Sequence, residues 1–159
     1  MGNEARGDDG VGLTVARKLQ KMQLPGLAVA EFQGDGAALM ERWQGAATVV
    51  LVDAAASGAA PGTVHRFEAR AGPLPREVLR PTSTHALGPA EAVELARALG
   101  RLPPRLIIYG IEGAAFGAGA ALSQEALIAA AEVVVRILDD WQEARKHISP
   151  SPPVGEREG

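Results

Sequence analysis

From Val11 to Gln23 the apolar residues Val11, Val15, Leu19 and Met22 form one stripe, opposite Arg17, Lys18 and Gln20, which predicts an amphipathic helix. Pro25-Gly26 ends it. Leu27 to Phe32 (LAVAEF) reads as a strand, Gln33-Gly34-Asp35-Gly36 as a tight turn, and Ala37 to Trp43 as a second helix. Ala47 to Asp53 (ATVVLVD) is a nearly unbroken apolar run of strand length, typical of a parallel strand covered on both faces. Thr63 to Ala69 (TVHRFEA) is more polar and predicts an edge or antiparallel strand, and proline-rich Gly72 to Thr84 predicts a loop. Pro89 suits the first turn of a helix reaching Leu99, and Arg105 to Ile111 (RLIIYGI) is a second buried strand. After the small-residue loop Glu112 to Ala121, Ser123 caps the last helix, whose buried face is expected to be Leu127, Ala131, Val134, Leu138 and Trp141. The tail from His147 to Gly159, with mixed charge and prolines, is expected to be disordered.

Helices alternating with short apolar strands predict a single α/β domain over residues 1–146. Its expected form is a three-layer α/β/α sandwich around a mostly parallel twisted sheet. Ligands of such sheets gather at the carboxyl ends of the strands.

Composition narrows the function. Net charge is −3 over 159 residues with no basic run and six aromatics, which argues against nucleic acid as a partner. Cysteine is absent, so thiolate metal sites and Cys nucleophiles are excluded. No apolar run approaches the roughly 18 residues of a membrane span, and the expected home is the cytoplasm.

Ionisable side chains fall where the crevice is expected. Asp8 and Asp9 lie between glycines before the first helix, Asp53 ends the ATVVLVD strand, His85 precedes a helix, and Asp35 follows the LAVAEF segment. Each has an ordinary explanation: Asp8 as a helix cap, Asp53 as a cap for the next turn, His85 as a backbone hydrogen-bonder, Asp35 as a turn former. His65 and His147 are expected at the surface. Jointly, two carboxylates and an imidazole from strand-end loops make an O,O,N set that Zn²⁺ or Ni²⁺ accepts with positions left open. The glycine-rich loop could instead suggest a dinucleotide site, but pyrophosphate needs bare N–H groups at the helix start, and two carboxylates would repel it.

Read as blocks, GN-x-x-x-GDDGVG from Gly2 to Gly12, VVLVDA ending at Ala54, S-x-HALG around His85, and IYGIEG with FGAG and LS resemble the [NiFe]-hydrogenase maturation endopeptidases. The resemblance runs from Gly2 to about Leu138. It implies a cytoplasmic peptidase that removes a C-terminal extension from a [NiFe]-hydrogenase large-subunit precursor after nickel insertion. It further implies that nickel carried by the precursor, rather than a resident cofactor, is gripped by Asp9, Asp53 and His85, with Asp8 and Asn3 shaping the loop. A non-catalytic nickel- or hydrogenase-binding maturation factor is the alternative, and an unrelated α/β protein whose acids are caps is a third reading.

Two departures from the family pattern stand out. The family's Asp after the second strand is replaced here by Gln33, so its role as a water-activating base would pass to Asp35, two residues on. Family members also begin with a short hydrophobic strand leading into the GN motif. Here Met1 directly precedes that motif, so the first strand is expected to be missing and the true start to lie upstream.

Overall fold

The computed structural model describes residues 1–33, 35–75 and 87–148. Along the chain run α1 (Val11–Met22), α2 (Gly36–Arg42), β1 (Thr48–Ala55), β2 (Val64–Glu68), α3 (Pro89–Ala98), β3 (Arg105–Glu112) and α4 (Gln124–Ile148). The two apolar runs pair in parallel, with Val49 beside Leu106 and Asp53 beside Gly110. The more polar β2 lies antiparallel on the other side of β3, with His65 opposite Gly110. The strand order is therefore β1-β3-β2, a small mixed sheet with β3 at its centre.

Alternation along the central strands divides the core into two faces. Leu51, Ala55, Leu106 and Ile108 pack with Leu39, Met40 and Trp43 of the α2 region and Ala92, Val93 and Ala96 of α3. Val52, Ala54, Ile107, Tyr109 and Ile111 pack with Val11, Val15 and Leu19 of α1 and the inner face of α4. This is the expected three-layer α/β/α sandwich.

Three local expectations are corrected. Leu27 to Phe32 keeps the side alternation of a strand, with Leu27 and Val29 packed on the α1/α4 side and Phe32 on the α2/α3 side. It nevertheless forms no ladder among the described residues. The carbonyls of Ala47 and Ala55 accept from the Arg105 and Gly113 amides, so the odd-numbered backbone groups of β1 face β3. The even-numbered groups face outward, where the Met1 amino group donates to the Val52 carbonyl. An extended segment becomes a strand only when a neighbour takes its backbone groups, and among the described residues no strand precedes α1: Glu4–Gly10 is a 3-10 turn.

The second correction concerns α4. Its inner face is Ala126, Ala129, Ala130, Val133, Val134 and Ile137; of the expected face Val134 is buried and Leu138 packs against the core, while Leu127 and Ala131 are exposed. Alanines rather than leucines point inward because α4 packs closely against α1 and the sheet. Thirdly, α4 continues to Ile148, beyond the point at which the tail was expected to begin.

Candidate active site

The loops at the carboxyl ends of β1 and β3 and the turn before α1 meet at one end of the sheet. Gly7 turns the chain with φ +60, and a Cβ there would strike the Ala115 carbonyl. Gly12, in the first turn of α1, has no room for a Cβ beside the Val52 carbonyl, so the start of α1 lies directly against the end of β1. This brings the adjacent carboxylates Asp8 and Asp9 beside two different loops.

Asp8 is completely buried. Its Oδ1 accepts from the Ser123 amide at 2.7 Å, and its Oδ2 from the amides of Ala114 and Ala115 and the Ser123 hydroxyl at 2.7, 3.0 and 2.8 Å. Burial acts to raise its carboxyl, but the Ser123, Ala114 and Ala115 amides and the Ser123 hydroxyl outweigh that and hold it below the ordinary carboxylate value. Ser123 in turn accepts from the Ala126 amide, as an N-cap should. Asp8 thus ties the turn before α1, the loop after β3 and the start of α4 together, which is the loop-shaping role expected of it.

Asp9 and Asp53 differ from Asp8. Asp9 accepts from the Asn3 amide at 3.1 Å. Burial raises its carboxyl, against that amide, Arg6 and the chain's amino group. Asp53, at the end of β1, is 3% exposed, and its Oδ1 has no hydrogen-bond partner among the described residues. Burial pushes its carboxyl up to about 6, reinforced by the charge of Asp9 and opposed by the Met1 amino group and the Ala54 amide. Two neighbouring, mostly buried carboxylates thus share this corner with the Met1 amino group, and one oxygen of Asp53 has no hydrogen-bond partner among the described residues.

The other candidates lie elsewhere. Asp35 is exposed and caps α2, its Oδ1 accepting from the Ala38 amide at 3.0 Å. The next residue, Gly36, donates its amide to the Leu87 carbonyl at 2.8 Å, joining the start of α2 to the segment just after His85. His85 itself lies outside the described residues. Among the described residues no three Asp, Glu or His side chains gather as a metal cage; of the expected set the structure brings Asp9 and Asp53 together. The sequence pattern singles out neither Glu112, buried at the end of β3, nor His65, which it expects at the surface. The His65 ring is instead four-fifths covered and lies 3.2 Å from the Glu112 carboxylate. The signal available was a lone carboxylate closing an apolar strand, the same signal that marks Asp53.

The sequence matches the HycI-type hydrogenase maturation proteases over residues 13–140, four-fifths of the chain. The chain belongs to the hydrogenase maturation protease family. It is accordingly a peptide-bond hydrolase of hydrogenase maturation. The matched span takes in Asp53, His85 and Glu112 and begins just after Asp9.

The fold agrees with this. The hydrogenase maturating endopeptidase HybD from E. coli is similar with a TM-score of 0.72 and 21% identity, over 90% of this chain and 89% of that one. The [NiFe] hydrogenase maturation protease HybD from Thermococcus kodakarensis is similar with a TM-score of 0.61 and 25% identity, over 88% and 93%. An endopeptidase from Escherichia coli is similar with a TM-score of 0.74 and 19% identity, over 91% and 90%. Comparison with curated protein sequences gives no match. No helix among the described residues is long and apolar enough to cross a membrane.

Proposed function

We propose that this maturation protease removes the C-terminal extension of a [NiFe]-hydrogenase large-subunit precursor in the cytoplasm, and that it recognises nickel already seated in that precursor. Asp9, Asp53 and His85 are the groups that grip the nickel. The observation that carries the reading is the Asp53 carboxylate, buried beside Asp9 with an oxygen that no described residue satisfies.

Without a divalent ion, Asp53 loses solvation and is repelled by Asp9, which together outweigh the Met1 amino group and favour a proton on Asp53. A divalent ion arriving on the substrate supplies the missing charge and releases that proton, so binding is strongest when the precursor carries its metal. An imidazole from His85 would complete an O,O,N set suited to nickel. Anchoring the substrate metal fixes the scissile segment beside the enzyme and makes the attack effectively intramolecular. Asp35, engaged in capping α2, is a weaker candidate for handling the attacking water than the Asp9/Asp53 corner.

The test is to incubate the protein with nickel-loaded and nickel-free precursor and record intact masses. The expected result is loss of the C-terminal extension from the nickel-loaded form alone. Equal cleavage of both forms would refute nickel recognition, and binding without cleavage would favour a non-catalytic factor.

A further inference from the structure

A fourth buried carboxylate stands at the same end of the sheet and belongs to neither the Asp9/Asp53 pair nor the Asp8 bridge. Glu112 closes β3 and is 2% exposed. Its Oε2 accepts from the Ser57 hydroxyl at 2.9 Å and its Oε1 from the Gly58 amide at 2.9 Å. The Nε2 atom of His65, on β2, lies 3.2 Å from Oε2. The Glu112 backbone holds the far end of the same loop: its carbonyl accepts from the Gly62 amide at 2.8 Å and its amide donates to the Thr63 carbonyl at 2.9 Å. The loop from 56 to 63, which continues directly from the strand carrying Asp53, is therefore fastened to one residue at both ends.

Ser57 and His65 each bond to the carboxylate and not to one another, so the trio is a clamp and not a relay that could activate the hydroxyl. The clamped loop also rests on the first turn of α4, where a Cβ at Gly62 would lie 3.1 Å from the Glu125 carbonyl. Asp8 fastens the loop after β3 to the start of the same helix through Ser123. Two buried carboxylates thus each fix one loop at the strand ends, against a shared helix start. An apolar side chain would fill the Glu112 position at less cost in desolvation, so burying a carboxylate there secures loop geometry rather than bulk stability.

We propose that Glu112 is a positioning residue of the protease: through Ser57, Gly58 and His65 it holds the 56–63 loop as the wall beside Asp53 against which the incoming precursor lies. The proposal rests on the reading that the precursor is bound at the Asp9/Asp53 corner, and its test is chosen to stand apart from cleavage.

Affinity for nickel-loaded precursor is measured by titration, with hydrogen exchange of residues 56–63 followed in parallel, for the full chain and for Glu112→Ala, Glu112→Gln and Ser57→Ala. Glu112→Ala should raise Kd about tenfold and speed exchange in the loop by a similar factor, one lost decade of binding for one unfastened wall. Glu112→Gln, whose amide oxygen still accepts from Gly58 and whose NH₂ still reaches Ser57, should restore Kd to within about threefold. Ser57→Ala removes one bond and judges the proposal if Glu112→Ala does not fold, with an expected rise of about threefold. An unchanged Kd in a folded variant whose loop exchanges faster would overturn the proposal, as would unchanged exchange. Absence of cleavage by the unmodified protein, with these Kd changes intact, would sink the peptidase mechanism and leave the clamp standing.

Discussion

Asp8 and Ser123 are joined twice: one carboxylate oxygen takes the Ser123 amide and the other its hydroxyl, across 115 residues of chain. Asp9, the next residue, accepts from the Asn3 amide. Two identical side chains in sequence therefore differ in environment: Asp8 is saturated with hydrogen bonds that join distant loops, whereas Asp9 accepts only locally among the described residues.

That division predicts different costs for losing each. Asp8→Ala leaves buried amides at Ala114, Ala115 and Ser123 without an acceptor and should destabilise the protein by about 3 kcal/mol or more. Asp9→Ala should cost about 1 kcal/mol or less while abolishing processing. Urea denaturation of the two variants measures the difference, and equal destabilisation would contradict it.

Asp53 carries a pH signature. Its folded-state carboxyl lies at about 6 against an ordinary 3.8, so the folded state holds the proton more tightly than the unfolded chain. Stability relative to Asp53→Asn should therefore be highest below pH 4 and fall as pH rises to 6 and beyond. The total change is about 3 kcal/mol, since a tenfold difference in proton affinity corresponds to roughly 1.4 kcal/mol. Denaturant titrations of metal-free protein at pH 4 and pH 8 measure this. A difference independent of pH would mean that Asp53 is not desolvated.

The outer edge of β1 predicts an alternating pattern of exchange. Amides of Val49, Leu51 and Asp53 face β3, whereas those of Val50 and Val52 face outward. The outward pair should exchange at least about tenfold faster by NMR, as unpaired amides do. Uniform protection along Val49 to Asp53 would show a further strand paired there.

The close approach of α4 predicts that Ala130→Leu overpacks the interface, costing about 1–3 kcal/mol, while Ala131→Leu stays within about 0.5 kcal/mol. Thermal unfolding distinguishes them. The reverse ranking would restore the helix face expected from the leucines.

The apolar strands β1 and β3 and the four α-helices among the described residues are legible in the sequence because periodicity and punctuation reflect the layer each residue faces. Leu27 to Phe32 has the pattern of a strand without being one, because strandness depends on a backbone partner that side chains do not encode. On α4, Leu127 suggests the buried side but is exposed, and the packing against α1 and the sheet instead selects Ala126, Ala129 and Ala130, with Val134 and Leu138 on the inner side as expected. At the site, Asp53 is visible as a carboxylate ending an apolar run. The contrast between Asp8 and Asp9 is not, since it depends on amides at 114, 115 and 123. Glu112 carries the same strand-end signal as Asp53, but the glycines and alanines that follow it make it read as the start of a loop.

The central claim is that Asp9 and Asp53 grip the substrate's nickel, and X-ray absorption at the nickel edge tests it most directly. Spectra of nickel-loaded precursor would be taken alone, with the protease, and with Asp9→Ala or Asp53→Ala. The account predicts new oxygen or nitrogen neighbours at nickel on adding the protease, reduced in either variant. A nickel shell unchanged by a protease that still cleaves would contradict it.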